Sequence, residues 1–463
     1  MLTFDQARRL IDDQLRNPFR KERERLDRID NWMRWDHAAP HQPHHTTREY
    51  KELSLRSQTP WLGLIVTSVA QNLYVDRYRP ENSIENSVPW EWWQANGLDA
   101  RQMPIHRAAL GYGHSYVTVI PGEDDFGDDM PVIRGHSPRR MMAFYAEPES
   151  DDWPMYALRM TPARLGNGHM GNDVRLYDAE AIYFLQADTG GNVLQSGGFD
   201  PREHGMGRCP VVRFTNQLDL EGRTPGEVEP LIPIAGRIDQ TVFDRLVVQR
   251  FASWIVRTVS GMAMPDTAED AELQKMILRA ENLLIAEDQD TKFGSLPATP
   301  LEGFIKANQT DIQQLAAVSQ TPVYELLGDL INLSADALEA ARASLSAKVE
   351  ERQQGFGESW EQTFRLAGAA MGDDEAARDL GSQVGWRDTS VRTMAQAADA
   401  LGKLATMLGV PVEMLWERIP GFSQQDVERA KTLIEEGGAM AELTSLLQGA
   451  QAETGGDTET TNE

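Results

Sequence analysis

The chain has 463 residues, of which 41% are hydrophobic and 25% are charged. This length exceeds what a single hydrophobic core usually organises, so we expect several structural units. The formal net charge of −26 disfavours a protein that grips DNA, because such proteins gain affinity from lysine and arginine contacts to phosphate. The same charge is compatible with a passage through which DNA slides without being held.

Three further features limit the class of protein. The single cysteine, Cys209, excludes an intrachain disulfide framework and an all-cysteine zinc site. No apolar run approaches the ~20 residues that a membrane-spanning helix needs. The N-terminus has acidic residues where a signal peptide would have its apolar stretch. We therefore expect a soluble protein of a reducing compartment.

Residues 3–35 are predicted to form a helix, because apolar side chains recur at helical spacing in a charged background. These side chains are Leu10, Ile11, Leu15, Leu26 and Ile29. Prolines and histidines end this segment, and a second helical stretch is predicted over residues 60–73. Residues 114–218 change to short β-branched and aromatic runs, which predict a mixed or antiparallel sheet. The predicted strands are SYVTVI, PVIRG, MMAFYA, MYALRM, VRLYD, AIYFLQ and CPVVRF.

Residues 229–260 have no strong helix breaker apart from Pro233, which a first helical turn tolerates. Two rows of apolar side chains step by four along this segment and predict one helix of roughly 48 Å at 1.5 Å per residue. The rows are Ile234, Ile238, Val242 and Leu246, and Phe243, Val247, Phe251, Ile255 and Val259. After a compact insert over residues 262–300, a second helix is predicted over residues 302–319.

A further long helix is predicted to begin after Ser334, which is a good N-cap. We expect Gly355 and Gly357 to interrupt this helix with a kink. Shorter helices are predicted over residues 388–447, and the acidic, polar C-terminal tail is predicted to be disordered.

The sequence contains one cluster of candidate metal ligands, His37, His41, His44 and His45, with Asp36 beside them. Their spacing matches no standard zinc site, so a solvated loop is the favoured interpretation. No phosphate-binding glycine loop and no nucleophile elbow occurs. We therefore predict no catalytic residue, no cofactor and no bound metal.

Three other segments have a structural interpretation. Cys209 heads a strand-like run and is expected to be a buried thiol. The acidic segment EDDFGDD lacks the spacing of a calcium loop and is predicted to form a turn. The tryptophans of PWEWWQ, with Trp32 and Trp35, fit a ligand cage or, more commonly, anchors in a core or a subunit contact.

Four stretches follow one another in a characteristic order. They are IDNWMRWDHAAP, a helix with an aromatic turn; HRAALGYGHSYVTVI, a helix, a glycine turn and a strand; RCPVVRFTNQLDLEGRTPGEVEPLIPIAGRIDQTVFDRLVVQRF, a strand, a Gly-rich loop and a long helix; and QTPVYELLGDLINLSADALEAARASLSAKVEERQQGF, a loop and a long helix. In this order they resemble the portal proteins of tailed bacteriophages, in particular the Gp6-like branch. The third stretch is the most specific, and the similarity extends to about residue 370.

The resemblance implies an α+β, mostly helical subunit with a mixed β wing, a two-helix stem, a small clip insert and a helical crown. Residues 1–227 would form the N-terminal helices and wing, residues 228–260 and 301–320 the stem helices, and residues 261–300 the clip. Residues 321–372 would form the tunnel loop and a long wing helix, residues 373–448 the crown, and residues 449–463 the tail.

The resemblance also implies a homo-oligomeric ring, of twelve subunits, at one capsid vertex of the virion, assembled in the host cytoplasm. Double-stranded DNA would pass through it without sequence specificity, and its partners would be the major capsid protein, the terminase large subunit and a head-completion adaptor, with no membrane. The implied channel residues are Asp329, Leu330, Ile331, Asn332, Leu333 and Ser334. The implied subunit contacts in the stem are Phe243, Val247, Phe251, Trp254 and Ile255.

Two alternatives remain open. One is another structural protein: a head–tail connector component, which is usually much smaller than 463 residues, or an intracellular scaffold, which only ring symmetry with a central channel would separate from a portal. The other is a metal-dependent hydrolase that uses the histidines at positions 37–45, which bound metal in the purified protein would identify.

Overall fold

The structure is a computed structural model that describes residues 1–41, 48–81, 88–124, 126–166, 168–195, 197–252, 257–260, 292–295, 300–328, 335–387, 394–416, 418–419, 426–427 and 429–434. It is a mixed α/β fold and about half helical, so the expected α+β class is confirmed at this level. No helix among the described residues is both long enough and apolar enough to cross a bilayer.

The helices are α1 (Phe4–Arg9), α2 (Arg16–Met33), α3 (Arg48–Ser57), α4 (Trp61–Ala70), α5 (Val88–Ala95), α6 (Leu98–Tyr112), α7 (Ile232–Ala252), α8 (Glu302–Ser319), α9 (Val323–Leu327), α10 (Ala335–Met371), α11 (Asp374–Arg378), α12 (Met394–Leu408) and α13 (Val412–Trp416). A π-helical segment, Leu10–Leu15, joins α1 to α2, and a 3-10 turn, Glu229–Leu231, precedes α7.

The strands are β1 (Val75–Arg79), β2 (His114–Glu123), β3 (Asp129–His136), β4 (Met141–Phe144), β5 (Tyr156–Arg164), β6 (Met170–Tyr177), β7 (Ala181–Ala187), β8 (Asp200–Glu203), β9 (Val211–Thr215), β10 (Arg257–Ser260), β11 (Lys292–Ser295) and β12 (Gln383–Trp386). The chain divides into two compact units. The first comprises Met1–Asp27, Val66–Glu227 and Ser346–Glu463, and the second comprises Arg28–Ile65 and Val228–Leu345.

The described part of the first unit contains three antiparallel sheets, a two-stranded ribbon of β1 and β12 and two larger sheets with strand orders β3-β2-β9 and β4-β5-β6-β7-β8. All seven strands predicted between residues 114 and 218 are present, because their short β-branched and aromatic runs suit the extended backbone of a packed sheet. The acidic segment EDDFGDD belongs to the β2–β3 hairpin, where the Asp124 carboxylate accepts the backbone N–H groups of Phe126 and Asp128. The predicted turn is therefore confirmed.

Each face of the five-stranded sheet has its own core. On one face, β5, β6 and β7 pack against the N-terminal helical segment through Ala7, Ile11, Leu15 and Phe19. Thr3 begins this segment with a capping box, in which Thr3 and Gln6 bond each other's backbone. On the other face, Met141, Ala143 and Ala157 pack against Tyr116 and Val211 of the three-stranded sheet and against Cys209, which lies just before β9. Cys209 is 1% exposed, and desolvation raises the pKa of its thiol, which confirms the predicted buried thiol.

A cluster of aromatic residues forms another core of the first unit. Trp93 of α5 and Phe214 of β9 both meet Trp360 of α10 edge-on, with ring centroids 4.8 Å apart. The indole N–H of Trp360 donates to His106 Nε2 at 2.9 Å, so His106 carries its proton on Nδ1 and donates it to the Leu73 carbonyl at 3.0 Å. Trp90, Trp92 and Trp93 are all buried, so the core interpretation of PWEWWQ is confirmed.

The predicted helix over residues 229–260 is wrong at its C-terminal end. α7 ends at Ala252, and Arg257–Ser260 forms β10, which pairs antiparallel with β11 of the insert. Thr258 and Val259 are β-branched and suit a strand. The hydrogen-bonding partner of their backbone is β11, which the spacing of apolar residues in residues 229–260 could not reveal.

The predicted interruption of the long helix at its two glycines is also wrong, whereas a kink there stays a prediction. α10 begins at Ala335, as expected after Ser334, but it runs to Met371 through both Gly355 and Gly357. Each glycine costs a helix about 1 kcal/mol relative to alanine. Buried Phe356 and Trp360 outweigh this cost through their aromatic contacts.

Candidate functional site

The second unit contains the two helices predicted to form a stem, and they lie antiparallel. Arg237, near the N-terminus of α7, donates to the Asp311 carboxylate at 2.9 Å and to the Gln314 side-chain oxygen at 2.6 Å, both in the C-terminal half of α8. Arg237 is 51% exposed, and exposed ion pairs contribute only about 0–1 kcal/mol. This contact therefore sets the alignment of the helices more than their stability.

Apolar packing between the helices uses one face of each. α8 buries Ile312, Leu315, Ala316 and Ser319, which recur at the three- and four-residue steps of one helical face. The 3-10 turn and α7 contribute buried Leu231, Ala235, Ile238 and Phe243. The remaining surface of α8 leaves Ile305 and Val318 44% and 58% exposed. The two helices α7 and α8 therefore bury apolar side chains between them, and α8 also leaves apolar side chains exposed to solvent.

The predicted subunit contacts of the stem fall in different environments. Phe243 is 3% exposed and already packs within its own unit. Val247 is half-buried, as are Val242, Leu246 and Val248 around it. Phe251 lies in the last turn of α7, whereas Trp254 and Ile255 lie outside the described residues. Only Phe243 and Val247 of this set have a described side chain. Val247 keeps some exposed apolar surface, whereas Phe243 does not.

The aromatic turn after α2 is bonded to α7. The rings of Trp32 and His37 stack with centroids 3.6 Å apart. His37 Nε2 lies 2.9 Å from one carboxylate oxygen of Asp239, and the backbone N–H of Thr59 donates to the other at 3.2 Å. The His37 and Asp239 side chains are 4% and 2% exposed. A Cβ at Gly236 would lie 3.4 Å from the Trp32 ring, so this glycine lets the indole approach α7.

The structure describes two of the four histidines of the cluster, His37 and His41. His37 uses Nε2 in its contact with Asp239, and His41 is exposed. His44 and His45 lie outside the described residues. Where the structure describes the chain, no three His, Cys, Asp or Glu side chains converge to hold a metal ion.

We expect Asp239→Ala to lower the free energy of unfolding by about 2–4 kcal/mol, because His37 and the Thr59 N–H would both lose a buried acceptor. Asp244→Ala is the matched control on the same helix, since half-buried Asp244 accepts one bond, from Gln240 at 3.0 Å. The control should cost less than about 1 kcal/mol in chemical denaturation. Equal losses in the two variants would show that the Asp239 contacts do not hold the turn.

A buried charge cluster lies in the first unit, at the end of the segment that leads to α7. Lys348 Nζ lies 2.5 Å from one oxygen of the Glu227 carboxylate, and the Arg352 guanidinium lies 3.2 Å from the other. Arg352 also donates to the Asn216 side-chain oxygen at 2.6 Å. Asn216 in turn donates to the Pro225 carbonyl at 3.0 Å. The Glu227 carboxylate and the Asn216 side-chain amide thus hold the Gly-rich loop between β9 and α7 against α10.

Two glycines permit the close backbone approach beneath this cluster. Gly113 has a φ of 102°, and a Cβ there would collide with the Thr224 carbonyl. A Cβ at Gly226 would collide with the Gly111 carbonyl. The backbone N–H of Glu227 donates to the Leu110 carbonyl at 2.8 Å in the same place. The glycine turn before β2 and the loop before α7 therefore form one closely packed layer.

The predictions from sequence did not include Glu227, Lys348 or Arg352. A signal was present, because Arg352 lies on the same helical stripe as Leu345, Val349 and Phe356. A cation at a core position of an amphipathic helix requires a buried counter-charge. The sequence gives no way to choose Glu227 as that partner among 71 acidic residues. The predicted channel residues, 329–334, lie outside the described residues.

Residues 14–439 match the model of the family of phage portal proteins described as SPP1 Gp6-like. The chain belongs to this portal protein family. The resemblance inferred from the four sequence stretches is thereby confirmed. The extents of wing, stem, clip and crown within this portal-family chain stay predictions.

Two curated relatives of this portal-family chain are portal proteins of mycobacteriophages. The portal protein of Mycobacterium phage D29 is 29% identical over 411 residues, which cover 84% of this chain and 81% of the relative. The portal protein of Mycobacterium phage L5 is 30% identical over 363 residues, which cover 74% and 71%. A solved structure, the neck of a native GTA particle computed with C12 symmetry, matches with a TM-score of 0.46 and 9% identity over 83% of this chain and 96% of its own.

Proposed function

We propose that this portal-family chain is a structural subunit that forms a homo-oligomeric ring, of twelve copies, at one capsid vertex of the virion. In this proposal the ring is assembled in the host cytoplasm and conducts double-stranded DNA during packaging and ejection. It also docks the terminase large subunit and a head-completion adaptor, and it contacts the major capsid protein.

The observation that carries the proposal is the incompletely covered apolar surface of the α7–α8 pair. Leu246, Val247 and Val248 are half-buried at the end of α7, and Val318 of α8 is 58% exposed. Helices that belong only to a single-chain core bury such side chains, whereas side-by-side packing of copies would cover them. The proposed stem is residues 228–260 and 301–320, with residues 261–300 as the clip.

The acidic net charge supports a channel through which DNA moves and disfavours a protein that binds DNA tightly. A net charge of −26 gives little phosphate affinity, so DNA would pass without being held. In the proposal, residues 329–334 project into the channel, where their single charge, Asp329, suits a collar that does not bind DNA strongly. Among the described residues no observation favours the metal-dependent hydrolase, because no three His, Cys, Asp or Glu side chains converge there.

We expect Leu246→Asp to shift rings of the purified protein to monomers, because a carboxylate would be buried in the proposed subunit contact. Native mass spectrometry and negative-stain imaging would measure the distribution. Gln249→Asp is the matched control, since Gln249 is exposed on the same turn of α7. A wild-type protein that stays monomeric or dimeric at every protein and salt concentration would contradict the ring. Intact Leu246→Asp rings would remove this face from the subunit contact.

A further inference from the structure

Two arginines of the five-stranded sheet are directly opposite each other on neighbouring strands. Arg159 of β5 pairs in register with Arg175 of β6, so both side chains lie on one face, where like charges repel. Among the described residues, no carboxylate lies within ion-pairing distance of Arg159. Arg175 has only a 3.7 Å contact with Asp173, and its Nε is buried without a hydrogen-bond partner. The pair is an incompletely neutralised positive centre.

The three-stranded sheet brings two more basic groups to the same space. Arg134 and His136 of β3 are directly opposite Thr118 and Tyr116 of β2. Tyr116 packs into the core between the two sheets, so Arg134 and His136 lie on the face directed at the five-stranded sheet. His136 Nε2 lies 2.8 Å from the Thr118 hydroxyl. Basic side chains from both sheets therefore converge.

The electrostatics agree with this placement. Desolvation, with the charges of Arg159, Arg175 and Arg134, lowers the pKa of His136 to about 3. Burial is the largest cause of this shift, and the three arginine charges add to it, so several positive charges lie close to His136. In a chain with a net charge of −26, such an environment is an exception that requires a physical reason.

The neighbouring acidic groups do not neutralise it. Asp200 is bonded to Arg202 at 2.9 Å, and Asp173 makes only the long contact to Arg175. Phe184 lies under the Arg175 guanidinium, 5.0 Å from the ring centroid, and adds no counter-charge. At least two guanidinium groups thus keep unused donors.

We propose that Arg134, Arg159, Arg175 and His136 form a binding site for a single oxyanion, a phosphate or a carboxylate group, between the two sheets of the first unit. Guanidinium groups bind both chemistries through parallel N–H bonds. A nucleic-acid backbone fits less well, because Asp173 and Asp200 on the same face would repel its further phosphates. This site is separate from the proposed ring contacts of the stem.

The test titrates inorganic phosphate, and separately acetate, into the full-length protein by calorimetry, with chloride used to hold ionic strength constant. We expect saturable phosphate binding, and we expect Arg159→Gln/Arg175→Gln to weaken it about tenfold or more. Arg164→Gln is the matched control. Arg164 ends the same strand, and its guanidinium bonds the Gly168 carbonyl, so its binding should equal that of wild type. Circular dichroism would confirm that each variant is folded.

Acetate binding at the same residues would show that a carboxylate group is enough to occupy the site, so that a carboxylate of another protein could be the ligand. Binding of phosphate but not acetate would identify a phosphate-bearing ligand. Absence of saturable binding of either anion would overturn the proposal, as would unchanged binding in the double variant. If the double variant does not fold, Arg134→Gln replaces it, because Arg134 is exposed and lies on the other sheet. Unchanged phosphate affinity in Arg134→Gln would then overturn the proposed four-residue site.

Discussion

Replacing Glu227 by Gln is expected to lower the free energy of unfolding by about 3–5 kcal/mol. The substitution keeps the size of the side chain and removes its charge. Lys348 and Arg352 are 4% and 2% exposed at their side chains, so both buried cations would lose the carboxylate that they share, and Arg352 would keep the exposed Glu351 at 3.0 Å. Removing one partner of a buried ion pair costs more than the pair contributes, because the remaining charge is not rehydrated.

Urea denaturation followed by tryptophan fluorescence would measure this loss, since Trp93 and Trp360 are buried in the same unit. Glu358→Gln is the matched control, because Glu358 is 70% exposed and bonds Arg365 at 2.8 Å on the same helix as Lys348. Its expected cost is about 0–1 kcal/mol. Removing all three charges with Glu227→Leu, Lys348→Met and Arg352→Met should recover much of the stability. A Glu227→Gln cost no larger than the control's would contradict the cluster's role.

Acidification from pH 7.5 to pH 5 is expected to destabilise the protein by about 4 kcal/mol through His106 and His114 alone. Both side chains are fully buried, and desolvation lowers the pKa of each to about 4. An unfolded histidine titrates near 6.5, so in this window the unfolded chain binds more protons than the folded chain. The stability that the two neutral histidines contribute is therefore complete above about pH 6.5, and it is lost as the pH falls toward 4. His136 and His204 act in the same direction, because desolvation lowers their pKa values too.

Denaturation midpoints at pH 7.5, 6 and 5 would measure the effect. His106→Gln should be less stable at pH 7.5, since it disturbs the bonds to Trp360 and Leu73, but its pH dependence should be weaker by about 2 kcal/mol. His41→Gln is the control, because His41 is exposed. A His106→Gln profile parallel to that of wild type would show that His106 does not contribute to the acid sensitivity.

Elements with a strong local pattern could be predicted from the sequence. The strands between residues 114 and 218 and the helix Glu302–Ser319 occur where the periodicity places them. The helix over residues 3–35 is present apart from its π-helical segment, which no apolar spacing specifies. The strands are marked by β-branched and aromatic runs between turn residues, and the helices by apolar residues at three- and four-residue steps, so local sequence contains the necessary information.

Features that depend on distant partners could not be predicted. β10 is a strand because β11 pairs with it, although its residues continue the apolar rows of α7. β8, the sequence DPRE, is exposed throughout and has no apolar alternation, and it is held by pairing with β7. The bond between His37 and Asp239 joins residues 202 positions apart, and the Lys348–Glu227 pair joins residues 121 apart. Local sequence patterns can show that such a polar residue lies at an unusual position, but they do not show which distant residue it contacts.

The pairing of β1 with β12 has a consequence for synthesis on the ribosome. Arg79 is opposite Gln383 in an antiparallel pair, so the two strands of this ribbon are made roughly 300 residues apart. At about 5–20 residues per second, β1 waits on the order of 15–60 s for its partner. During that interval its backbone donors and acceptors have no strand to pair with, which is the condition that favours capture by chaperones or aggregation. A chain truncated before residue 383 would keep this edge permanently and should be cleared by proteases faster than the complete chain.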